Sequence, residues 1–144
     1  MFFCIGGGAS DPTAAATSSS REFRFVNRCN GTVWVGSLGS TLINGGGWAV
    51  GSGRTASVSV PLGWHGRFWA RTGCRFGRSG TGRCETGDCG GLAKCSGLGG
   101  EPPATLAEFS LGPPKDFYDV SLVDGYNLPI AIVPVVAGTG TIGA

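Results

Sequence analysis

Apolar and polar residues alternate most cleanly at Thr55-Ala-Ser-Val-Ser-Val60. Ala56, Val58 and Val60 share one face there, and Thr55, Ser57 and Ser59 share the other, the period of a half-buried strand. Arg67-Phe-Trp-Ala-Arg71 repeats the pattern, with Arg67, Trp69 and Arg71 opposite Phe68 and Ala70. Two shorter segments, Glu22–Val26 and Thr32–Val35, flank Asn30-Gly31, a turn signal that predicts a hairpin between them. Gly45-Gly46-Gly47 is a Gly-rich connection ahead of Trp48–Val50. Farther on, Leu106, Glu108 and Ser110 alternate with Ala107, Phe109 and Leu111. The second set is wholly apolar, so Glu108 is expected to face outward. Beyond Pro113-Pro114, Asp119 and Ser121 lie opposite Tyr118, Val120 and Leu122, and Asp124-Gly125 marks a turn. The four tryptophans (Trp34, Trp48, Trp64, Trp69) are read as core or half-buried packing.

No segment carries a helical period longer than two turns. The expected class is all-β, a partial antiparallel β-sandwich with Gly-rich, disulfide-stapled loops. Residues 1–21 read as a disordered leader, 22–134 as the β domain, and 135–144 as a tail with nothing to pair with. The apolar run Pro129–Val136 would be adhesive as an exposed end.

Cysteine placement gives the middle of the chain its character. Cys74, Cys84, Cys89 and Cys95 fall in a segment too rich in glycine to order itself as helix or central strand. Bonds between neighbours, Cys74 with Cys84 and Cys89 with Cys95, would close two small loops, for roughly 2–3 kcal/mol each in loop-closure entropy. Six cysteines leave other pairings open. Zinc is disfavoured, because there is no Cys-x2-Cys pair and the sole histidine, His65, lies outside the cluster. No metal or cofactor is expected. This cysteine density suits an oxidising compartment. Met1–Ile5, however, has no basic n-region and too short an apolar run for a secretory signal. No apolar stretch is long enough to predict a membrane span.

The net charge of +2 says less than its distribution. Six arginines and no carboxylate occur from Arg54 to Arg83, whereas between Glu101 and Asp124 five carboxylates (Glu101, Glu108, Asp116, Asp119 and Asp124) stand against Lys115 alone. The arginines are diluted by glycine and match no nucleic-acid motif, so nucleic acid is not an expected partner. The Gly-rich centre lacks the Lys-Ser/Thr end of a phosphate loop. His65 has no nucleophile arranged around it, which argues against a triad. Asn30-Gly31-Thr32 is an N-glycosylation acceptor pattern. Glu108 and Asp119 lie on successive strands with Asp124 just beyond. Two carboxyls about 5–9 Å apart are what glycosidic hydrolysis uses, and their proximity raises one pKa. Solvated acids on a sheet edge are the plainer alternative.

The run Gly80-Thr-Gly-Arg-Cys84-Glu-Thr-Gly-Asp-Cys89-Gly-Gly-Leu-Ala-Lys-Cys95 resembles the signature of the thaumatin-like proteins, pathogenesis-related group 5 of plants. Phe25-Val-Asn-Arg-Cys29, Thr32-Val-Trp34, Arg67-Phe-Trp-Ala-Arg-Thr-Gly-Cys74, Pro102–Phe109 and Asp116–Gly125 are similar to the same family. The resemblance implies a secreted, monomeric, disulfide-rich defence protein that binds β-1,3-glucan of fungal cell walls and inhibits fungal growth. It implies an acidic cleft in which Arg67, Glu108, Asp119 and Asp124 bind ligand. Any hydrolysis would use Glu108 as proton donor and Asp119 or Asp124 to activate water. It also implies local Cys74–Cys84 and Cys89–Cys95 bonds, and leaves Cys29 without its usual distant partner, so that Cys4 is open to it. Against the family pattern, the second domain and the closing C-terminal strands are missing, as in a truncated member. An amylase or protease inhibitor, a structural protein, or a non-functional truncated product is the alternative.

Overall fold

The computed structural model describes residues 1–4, 19–136 and 140–141. In chain order its strands are β1 (Phe2–Phe3), β2 (Ser20–Asn27), β3 (Val33–Gly39), β4 (Gly47–Val50), β5 (Thr55–Pro61), β6 (His65–Arg71), β7 (Arg75–Phe76), β8 (Gly82–Arg83), β9 (Leu106–Ser110), β10 (Phe117–Ser121), β11 (Ile130–Ala131), β12 (Val135–Val136) and β13 (Gly140–Thr141). A four-stranded sheet runs β11-β1-β2-β5, and a five-stranded sheet runs β10-β9-β6-β3-β4. Their inner faces meet in one apolar core, the expected all-β sandwich. From one sheet come Phe3, Phe25, Val58 and Val60; from the other come Val33, Val35, Phe68, Ala70 and Ala107. Aromatic rings join the layers, with Phe68 5.1 Å from Phe25 and 5.5 Å from Phe23, centre to centre. The alternation at Thr55–Val60 is kept, with Val58 and Val60 buried and Ser57 and Ser59 exposed.

The predicted hairpin does not form. β2 pairs with β5 and β1, while β3 pairs with β4 and β6, so the Asn30-Gly31 segment carries the chain from one layer to the other. Asn27 explains the crossing. Its buried amide donates to the carbonyls of Gly31 and Val50 (both 2.8 Å), and its oxygen accepts from the Cys29 N–H at 2.7 Å. Those bonds replace a strand ladder with a side-chain-tied bend.

The amino-terminal residues also depart from expectation. Phe2 and Phe3 are not a loose leader: β1 lies between β2 and β11, parallel to the first and antiparallel to the second. Phe3 is wholly buried, and Cys4 bonds to Cys29. The sandwich is therefore not purely antiparallel. Residues 5–18 of the expected leader lie outside the described residues. At the other end Leu128 and Ile130 are buried in the core, and Val135–Val136 pairs with Gly140–Thr141 where no partner was expected.

The outer face of the five-stranded sheet is half covered. The Gly-rich segment after β6, stapled by Cys74–Cys84 and Cys89–Cys95, lies over Trp69 and Leu106, forming a small second cluster with Cys89, Cys95 and Ala104. Leu106 is therefore buried, although it shares a face with Glu108. Gly36 and Gly100 admit the Trp69 ring, for a Cβ at either position would collide with it. The indole N–H donates to the Gly87 carbonyl at 2.9 Å.

Arg71 fastens this lobe. It is fully buried, and its guanidinium donates to the carbonyls of Trp34 (3.3 Å) and Val35 (3.1 Å) on the sheet and of Leu92 (2.8 Å) and Ala93 (2.7 Å) in the lobe. Burial lowers its pKa to about 10, with the Asp88 carboxylate acting the other way, so it stays charged at neutral pH. Asp88, also buried, accepts from the N–H groups of Cys84 and Gly91 at 2.9 Å each. Between them the two side chains supply hydrogen-bond partners that a segment with little strand pairing lacks.

Candidate functional site

The uncovered half of that face carries the acids. In the register of the sheet Arg67 of β6 is opposite Glu108 of β9, and Glu108 is opposite Asp119 of β10. Directly opposed residues project to the same side, with Cβ atoms about 4.5–5.5 Å apart. The three side chains thus form one row, guanidinium, carboxyl, carboxyl, across adjacent strands. Asp124 sits just past β10, in the turn where the Gly125 N–H donates to the Leu122 carbonyl at 3.0 Å.

Glu108 feels every member of the group. Its pKa is raised above the ordinary 4.5, first by a side-chain hydrogen bond with Asp119 and then by desolvation. The charges of Asp119 and Asp124 push the same way, and Arg67 opposes them. With the hydrogen bond, burial and the neighbouring charges acting one way against Arg67 alone, Glu108 keeps its proton to a higher pH than an isolated glutamate does.

Beside Glu108, on the Arg67 side, lies a groove of about 420 Å³ lined by Leu38, Ser40, His65, Arg67 and Glu108, with Gly39 and Gly66. Leu38 and Ser40 were not singled out from the sequence. His65, weighed there only as a triad base, begins β6 and is exposed. One signal pointed to it: it stands two residues before Arg67, and so on the same face of a strand. Asn30 is exposed, far along the chain from this row, in the crossing between layers. The two local disulfides lie in the lobe rather than in the row. Among the described residues, no group of three or more histidines, cysteines or acids is placed to hold a metal ion, and no helix is long and apolar enough to cross a membrane.

Comparison with known proteins places this architecture. The family model described as "Thaumatin family" matches residues 27–142. A "Thaumatin-like protein" of Arabidopsis thaliana is 57% identical over 121 residues, covering 82% of this chain and 50% of its own length. "Pathogenesis-related protein 5" of the same plant is 51% identical over 126 residues, covering 85% of this chain and 52% of its own. Among solved structures, that of the thaumatin-like xylanase inhibitor TLXI superposes with a TM-score of 0.63 at 38% identity, over 72% of this chain and 70% of that one. The chain spans about half the length of these two curated relatives. With the match of the family model covering most of the described sandwich and its stapled lobe, the chain belongs to the thaumatin family.

Proposed function

We propose that this chain is an extracellular defence-type protein whose Arg67–Glu108–Asp119 row, with Asp124, binds β-1,3-glucan of the fungal cell wall. The observation that carries the reading is the register, which sets three unlike polar groups side by side on one accessible face. A glucan strand laid across the row meets a fixed donor fork at Arg67 and acceptors at Asp119 and Asp124. Between them is a Glu108 carboxyl able to donate while it holds its proton. Such charge-assisted bonds to sugar hydroxyls are short and directional. The groove past Arg67 gives the neighbouring sugar a place to lie.

The same pair suits acid catalysis of glycosidic cleavage. Protonated Glu108 would give its proton to the departing oxygen while Asp119 or Asp124 activates water. Hydrolysis is secondary to binding in this reading. Sedimentation with insoluble β-1,3-glucan tests it. Wild-type protein should leave the supernatant, and the triple variant Glu108→Gln, Asp119→Asn, Asp124→Asn should remain there. Equal sedimentation of the two, or none by the wild type, overturns the proposal.

A second reading, inhibition of a carbohydrate-active enzyme, is favoured by the likeness to the xylanase inhibitor TLXI. Inhibition of a xylanase or amylase that survives the triple substitution would select it, with the acids incidental.

A further inference from the structure

The far rim of the stapled lobe carries a second concavity, of opposite charge. A depression of about 820 Å³ is bounded by Trp34, Cys74, Arg75, Phe76, Arg78 and Ala93, within the size range of small-ligand sites. No carboxylate lines it. Trp34 and Phe76 are half-buried and meet edge to face, 4.8 Å between centres. The buried Arg71 guanidinium lies over both rings at 5.8 Å. Because Arg71 is itself bonded to Trp34 and Ala93, the ring pair and the wall beside it are held from behind. The Cys74–Cys84 bond fixes the strand that carries Arg75 and Phe76.

Among the described residues three arginines are engaged by acids, and Arg75 and Arg78 are not among them. Arg21 pairs with Asp116, Arg24 with Glu22, and Arg83 with Glu101 and Asp88. Arg75 and Arg78 are exposed and have no ion pair among the described residues. Two unspent guanidinium forks beside a rigid aromatic corner match a ligand with a planar anion on a ring that has an apolar C–H face. A pyranose carrying a carboxylate has both. We propose that this depression binds a uronate residue of an acidic polysaccharide, its carboxylate held by Arg75 and Arg78 and its ring against Trp34 and Phe76. A nucleic-acid strand fits less well, because single-strand sites track successive phosphates along a groove and here the free cations flank one hollow.

Titration with short α-1,4-galacturonate oligomers tests the assignment, using the full chain with its disulfides intact. The wild type should bind, and the double variant Arg75→Gln, Arg78→Gln should bind at least about tenfold more weakly, the loss expected when two charge-assisted contacts go. Phe76→Ala should also weaken binding, while Arg54→Gln, outside the depression, should not. Methyl-esterified oligomers, which lack the charge, should lose affinity as the double variant does. Sedimentation with β-1,3-glucan should be the same for wild type and double variant, which separates this site from the acidic row. Absence of galacturonate binding, equal binding by the double variant, equal binding of the ester, or equally tight binding of oligothymidylate would each overturn the proposal.

Discussion

The two apolar clusters on either side of the five-stranded sheet are held by different means. The interior cluster is made by alternating strands of two layers, and its order comes from the burial of Phe25, Phe68, Val35 and Val60 against one another. The outer cluster has few apolar side chains, Trp69 and Leu106 chief among them. A buried guanidinium, a buried carboxylate and two short disulfides close it. A regular sheet satisfies its backbone by pairing, so packing decides its stability. A lobe with little pairing needs side chains to take up its carbonyls and N–H groups, so its stability hangs on a few polar residues.

That contrast can be broken at either side. Phe68→Ala, in the interior, should cost about 3–5 kcal/mol and lower protection everywhere, as read by denaturant unfolding and amide hydrogen exchange. Arg71→Met should cost somewhat less, about 2–4 kcal/mol, by leaving lobe and sheet carbonyls without donors. Its exchange signature should be local, with protection lost across residues 82–95 and kept in β2 and β5. Global loss of protection in Arg71→Met would mean that lobe and sandwich unfold as one unit. Removing the Cys89–Cys95 bond by the paired change to serine should cost roughly 2–3 kcal/mol, since it releases a loop of six residues' separation. The same variant should keep the Glu108–Asp119 register and hence glucan sedimentation.

The smallest effect belongs to the acidic row and sharpens the comparison through pH. Glu108 has a raised pKa in the folded chain, so the native state binds its proton more tightly than the unfolded chain does. Its contribution to stability is fully present below the ordinary 4.5 and is lost as pH rises through the folded value. Glu108→Gln should flatten this part of the stability–pH curve, measured as thermal midpoints of both proteins from acid to neutral pH. Parallel curves for the two proteins would show that Glu108 and Asp119 do not share a proton.

Much of the sandwich was legible because strand period is local information. The faces of Thr55–Val60 and of Phe68 against Arg67 follow from residue order alone. The acids could be brought together on paper because β9 and β10 are consecutive and joined by a short proline-containing link. What covers a face is not local. Trp69 and Arg71 read as one side of a strand, but nothing in their own segment says that a loop from residues 72–104 will bury them. The Asn30-Gly31 signal failed for a related reason, since the fate of that bend is set by Asn27 reaching Val50 in another strand. Phe2 and Phe3 carry too few residues to show a period, and their place is set by the unpaired edges of β2 and β11.

β10 is the outermost strand of its sheet, and its neighbourhood is apolar: Phe117 is 66% exposed and Val123 90%. An open edge of this kind is a template on which a second chain could add, and charges set along it are what discourage such growth. Asp119 lies on this strand and Asp124 just past it, so the carboxylates proposed to hold sugar would also set charge against such growth. Neutralising them should promote association at high protein concentration, and a light-scattering measurement beside each sedimentation assay would separate lost ligand from lost solubility.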